Sequence, residues 1–79
     1  MRKNADDRGI EGATMTGREM KDIREAAGLT IYELASILRY RDFDGLIKME
    51  RQNRLVSGPI QTVMEAIRDG KIDPAEELA

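Results

Sequence analysis

The sequence predicts an all-α domain, a compact bundle of four to five short helices with a helix-turn-helix at its centre. Three observations carry that expectation. Residues 29–50 hold two apolar-periodic segments split by a charged joint, two threonine capping boxes open successive helices, and no alternating strand pattern occurs. Leu34, Ala35, Ile37 and Leu38 recur at helical spacing, and Leu46 with Met49 gives a second i, i+3 pair. The joint, RYRDFD, is too short for an antiparallel hairpin of helices, so the two segments should meet at a steep angle.

The elements follow in order. Residues 1–14 carry a single large aliphatic side chain, Ile10, among glycines and charges. They bury too little to offset their ordering entropy and are expected to form a disordered arm. Thr16-Gly17-Arg18-Glu19 is a capping box, with Met15 and Met20 placed as a hydrophobic staple. The first helix puts Met20, Ile23 and Ala27 on one face, and Gly28 is suited to end it in a left-handed conformation. Thr30 and Glu33 repeat the box, with Leu29 and Leu34 as the staple, and open a second helix over about residues 31–38. A third helix starts at Asp42 or Asp44, both able to cap, contains the weakening Gly45, and ends near Arg51. After a loop over residues 52–56, Ser57-Gly58-Pro59 starts a fourth helix with proline at its first position, where no amide hydrogen is needed. Ile60, Val63, Met64 and Ile67 form its buried stripe, and Gly70 closes it. Ile72 is expected to tuck back onto the core. Asp73-Pro74 then breaks the chain, leaving 73–79 as a frayed acidic tail or one short turn. The folded domain is thus expected over residues 15–72.

Composition narrows the chemistry. At 79 residues the chain supports one small domain with a thin core, and with only Tyr32, Tyr40 and Phe43 as aromatics that core must be aliphatic. Cysteine and histidine are both absent. That removes disulfides, thiolate or imidazole metal sites and the commonest general base. Asp42 and Asp44 read as caps, Ser57 as a helix opening, and Glu76-Glu77 as a solvated tail, so no enzyme and no cofactor is expected. No stretch is apolar enough for a membrane span or a signal peptide. Net charge is −2, but its distribution is uneven. Residues 29–56 hold Arg39, Arg41, Lys48, Arg51 and Arg54 against four acids, whereas the chain from Ser57 onward is net acidic.

Arg24, Gly28-Leu29-Thr30, Glu33-Leu34-Ala35, Leu38 and Met49-Glu50-Arg51 together resemble the lambda-repressor-like helix-turn-helix family, the group of Cro and phage repressors also called XRE-type. The Ser57-Gly58-Pro59 opening resembles a short phage-type branch of that family. The resemblance spans roughly residues 15–69. It implies a compact helical bundle whose third helix, about residues 42–51, enters the major groove, often from a dimer on a two-fold operator. It also implies a pair between Arg24 and Glu50 that orients that helix. Several positions depart from the family's pattern. Arg39 stands where a glycine is usual, the joint is one residue longer, and Ile31 replaces a phosphate-contacting glutamine. Asp44, Gly45 and Ile47 replace small polar residues on the outer face, and Gln52 replaces a glycine. These changes leave the aliphatic framework untouched and alter the surface.

The expected function is sequence-specific transcription regulation, as a repressor of phage or mobile-element type, acting in a bacterial or phage-infected cytoplasm at the nucleoid. Arg39, Arg41, Lys48, Arg51 and Arg54 would hold double-stranded DNA through its phosphates, with Arg41, Asp42, Asp44 and Lys48 nearest the base edges and Ile47 on the same DNA-binding face. A homodimer fits this scheme. The competing expectation is a regulatory protein-binding module, antitoxin- or antiactivator-like, in which outward-facing Phe43 and Ile47 form an apolar patch rimmed by charge.

Overall fold

Thr16 and Thr30 start the first two helices by the mechanism their sequence context implies. In each box the threonine hydroxyl accepts from the amide three residues on, and the glutamate there accepts from the threonine amide in return. The computed structural model describes residues 14–79, which form five helices and no strand. These are α1 (Gly17–Ala26), α2 (Ile31–Leu38), α3 (Phe43–Arg51), α4 (Gly58–Arg68) and α5 (Pro74–Leu78). The expected disordered arm lies, apart from Thr14, outside the described residues.

The core draws one fully buried side chain from each of five places. Met20 comes from α1, Leu34 from α2, Leu46 from α3, Val56 from the loop after α3 and Met64 from α4. Met15, Leu29, Ala35, Ile60 and Ile67 complete it. Both staple pairs, Met15 with Met20 and Leu29 with Leu34, are therefore inside, and Ile72 packs against this cluster as expected. Helix α1 packs on α3 and α4, and α2 packs on α3 and α5. Every side chain in this core is aliphatic or a thioether, as the shortage of aromatics requires.

Backbone accounting explains how α1 is fixed to the loop after α3. Four amides at a helix start lack an intrahelical partner. Here Gly17 N–H donates to the Arg54 carbonyl at 2.7 Å, and Arg18 N–H to Asn53 Oδ1 at 2.9 Å. Glu19 N–H donates to the Thr16 hydroxyl and Met20 N–H to the Thr16 carbonyl. Val56 N–H reaches the Met15 carbonyl at 2.8 Å, and Thr16 forms an isolated antiparallel bridge with Leu55. Asn53 serves this arrangement from a left-handed conformation, φ 52°, which asparagine tolerates better than most residues.

Several boundaries differ from expectation. Helix α4 begins one residue earlier than proline alone suggests, with Gly58 first and Pro59 second, and the Ser57 side chain makes no cap hydrogen bond. Ala27 was expected on the buried face of α1 but is exposed at its C-cap, because the helix ends at Ala26. Of the two expectations for residues 73–79, a frayed tail or one short turn, the structure has the short helical turn. Asp73 accepts from Ala75 N–H, Pro74 opens α5, and that helix lies against α2. Thr14 belongs to the fold rather than to the arm, since its amide donates to the Gln61 side chain at 2.9 Å.

Candidate functional site

Helix α3 has a sharply divided surface. Asp42 caps it by accepting from Gly45 N–H at 3.0 Å, and Leu46 anchors its inner side at the centre of the core. Met49 also faces the core, packed against the buried cluster. Phe43, Asp44, Ile47, Lys48 and Arg51 follow i, i+1, i+4, i+5, i+8 spacing, which places them within about 140° of arc on the other side. All are exposed except Ile47, which is half-buried and takes no part in the core. The helix is thus held from within, and its outer face is exposed except at half-buried Ile47.

What holds it is the pair between Arg24 and Glu50. The guanidinium donates from Nε to Glu50 Oε2 at 2.9 Å and from its second terminal nitrogen to Oε1 at 3.0 Å. Its remaining nitrogen donates to the Leu29 carbonyl at 2.8 Å. One side chain thereby joins α1, the α1–α2 connection and α3. Both partners are largely buried, with 13% and 7% of their side chains exposed. The bond to Glu50 raises the Arg24 pKa above its ordinary value, against the opposing effect of burial. The two-pronged geometry fixes direction as well as distance, so it sets the orientation of α3 about its own axis.

This pair also changes the charge balance of the surface. Of the four acids in residues 29–56, Glu50 is neutralised inside and Glu33 is engaged in its capping box. Asp42 and Asp44 are the acids left exposed there, against exposed Arg39, Arg41, Lys48, Arg51 and Arg54. Among the described residues no ion pair engages any of those five cations. The positive bias is stronger in space than along the chain.

The cations flank α3 at both ends. Before its N-terminus, Arg39 and Arg41 line a shallow bowl with Tyr32, Ser36, Tyr40 and Phe43. Arg39 stands in a left-handed conformation, φ 55° and ψ 40°, as the C-cap of α2. The turn therefore has the geometry that favours glycine, but an arginine occupies it. Across the bowl, Tyr32 and Phe43 meet edge to face, with centroids 5.1 Å apart and planes at 67°. At the other end, Arg51 borders a cleft with Arg18 and Lys21 of α1, next to Asp22 and Glu25. Arg54 lies in the loop that accepts the start of α1.

Sequence reasoning placed the residues of α3 and its joint but missed Arg18, Lys21, Tyr32 and Ser36. The two α1 cations share one helix face by their i, i+3 spacing. What brings that face beside Arg51 is the α1–α3 contact, which the Arg24–Glu50 pair could have suggested. Ile31, which departs from the family pattern by lacking a donor, packs against the core. Asp42, expected near base edges, has Oδ1 occupied by its cap. Among the described residues no helix is long and apolar enough to cross a membrane, and no side chains cluster as metal ligands.

A scan of protein-family models finds no match to this chain, and no curated protein or solved structure matches it significantly.

Proposed function

We propose that the protein is a sequence-specific DNA-binding regulator of the lambda-repressor-like type. In this reading α2, the joint over residues 39–42 and α3 form a helix-turn-helix whose second helix enters the major groove. The observation that carries it is the outer face of α3, which bears exposed Lys48 and Arg51 and is flanked by exposed Arg39, Arg41 and Arg54, while Arg24 and Glu50 fasten its inner face. An α-helix with its side chains is about 10–12 Å across, which matches the width of the major groove at about 12 Å. Arg39 and Arg41 then meet phosphates at one wall, and Arg51, Arg54, Arg18 and Lys21 at the other. Lys48 points between them. A homodimer on a two-fold operator, acting as a repressor in a bacterial or phage-infected cytoplasm, is the assembly and setting that suit this function.

A second reading rests on the exposed Tyr32–Phe43 pair. An aromatic step beside a turn also suits a regulatory protein partner, in the manner of an antitoxin or antiactivator. Mobility-shift titration of the full chain against genomic fragments separates the two. DNA binding through several phosphates weakens steeply as salt rises, and Lys48→Glu abolishes it without changing the far-ultraviolet circular dichroism. Binding that ignores both changes overturns the DNA reading.

A further inference from the structure

The outer face of α3 is unusual in what it lacks. Over its first five residues the side chains offered outward are Phe43, Asp44 and Ile47, none of which carries a hydrogen-bond donor; the first donor on this face is Lys48, in the next position. Guanine presents only acceptors in the major groove and is read by donors. These positions have nothing to offer it. The apolar feature a base pair shows in that groove is the 5-methyl group of thymine.

We propose that Phe43 and Ile47 are specificity-determining residues that read thymine methyl groups, an inference that rests on the DNA-binding reading above. Both side chains are withheld from the core, whose share of α3 is Leu46 and Met49. Phe43 keeps 39% of its surface exposed although it opens a helix whose outer face also carries the charges of Asp44, Lys48 and Arg51. Its ring is held against Tyr32, itself 61% exposed. This edge contact favours one position of the ring over others. Phe43 and Ile47 lie one turn apart on the same side of α3, about 6 Å along its axis. That spacing covers less than two base-pair steps of about 3.4 Å. Duplex DNA is the occupant favoured by charge, because Arg41 precedes the apolar step and Lys48 follows it, both exposed and unpaired among the described residues. Two thymines at neighbouring or next-neighbouring positions of each half-site are therefore required.

The test uses the full chain and a pool of random duplexes, enriched by binding and sequenced. Each thymine of the selected duplex is then replaced by deoxyuridine, which deletes only the methyl group. The expected result is a loss of roughly three- to fivefold in affinity at each of two positions no more than two steps apart. Phe43→Ala should make one of these positions indifferent to the methyl group, and Ile47→Ala the other. Unchanged circular dichroism identifies these variants as folded. An enriched duplex whose methyl deletions cost nothing, or cost both variants as much as the parent, overturns this inference alone. Failure to enrich any duplex overturns the DNA reading and this inference with it.

Discussion

Gly17 of α1 lies so close to the backbone of Met49 in α3 that a β-carbon on it would overlap the Met49 carbonyl oxygen. The obstacle is main chain on the far side, so it cannot rotate away as a side chain would. The contact occurs where α1 begins, and the Gly17 amide is at the same time committed to the Arg54 carbonyl. Gly17→Ala should therefore push α1 off α3 and lower stability by about 3 kcal/mol, the upper part of the usual overpacking range. Urea denaturation measures this directly. An unaltered midpoint would mean that the two helices do not approach so closely in solution.

Arg39 occupies a conformation that costs an L-residue roughly 1–2 kcal/mol. Arg39→Gly should relieve that cost, offset in part by the greater freedom of glycine in the unfolded chain, for a net gain of about 1 kcal/mol. The same change removes a cation beside the α3 N-terminus and should weaken DNA binding. Arg39→Ala keeps the strain and loses the charge, so it should bind as weakly as the glycine variant without its higher melting temperature. A glycine variant no more stable than the alanine variant would refute the strained turn.

These two sites show where sequence reasoning reached its limit. Thr16, Thr30, Leu34, Leu46 and Met64 were legible because capping boxes and helical spacing are local signals, set by residues within one or two turns. Gly17 was read only as an interior position of a capping box, since the atom that forbids a side chain there lies 32 residues away. Gln61 was passed over for the same reason. The charge balance around α3 was understated along the chain because Glu50 is spent on Arg24, a fact of tertiary packing. The tail is open between a frayed end and one short turn in the sequence because proline after Asp73 reads equally well as a break and as a helix start; the structure has the short helix.

Gln61 is a buried polar residue in the core-facing surface of α4, 7% exposed. Its carbonyl oxygen accepts from the amides of Thr14 and Met15, both at 2.9 Å, and its amide nitrogen donates to Glu65 at 3.0 Å. Gln61→Leu preserves much of the shape but leaves the buried Met15 amide without an acceptor. The expected cost is about 1–3 kcal/mol. Thermal unfolding should register it, and hydrogen exchange should accelerate most at Met15. Exchange unchanged at that amide would show that the side chain does not fasten this segment.

Leu34 tests the core itself. It is fully buried where α2 meets the other helices, so Leu34→Ala should open a cavity costing about 2–5 kcal/mol. An unchanged melting curve would mean that α2 is not packed as described.

The Arg24–Glu50 pair separates stability from orientation. Removing one partner strands a buried charge, so Arg24→Met alone should cost about 3–5 kcal/mol. Arg24→Met with Glu50→Leu removes both charges and should recover most of that loss, because a buried pair gains little over well-packed apolar side chains. The folded pKa of Arg24 is raised above its ordinary value, so its contribution is fully present below that value and is lost only as pH climbs through the still higher folded one. The difference between parent and double variant should accordingly be flat from about pH 6 to about pH 9. Orientation is another matter. Without the two-pronged bond and the third bond to Leu29, nothing of comparable directionality fixes the rotation of α3, and its outer face should lose register with the groove. The double variant is expected to melt near the parent yet discriminate poorly between a selected duplex and a scrambled one, with its salt dependence largely retained. Equal discrimination by the two proteins would show that packing of Leu46 and Met49 alone aims the helix.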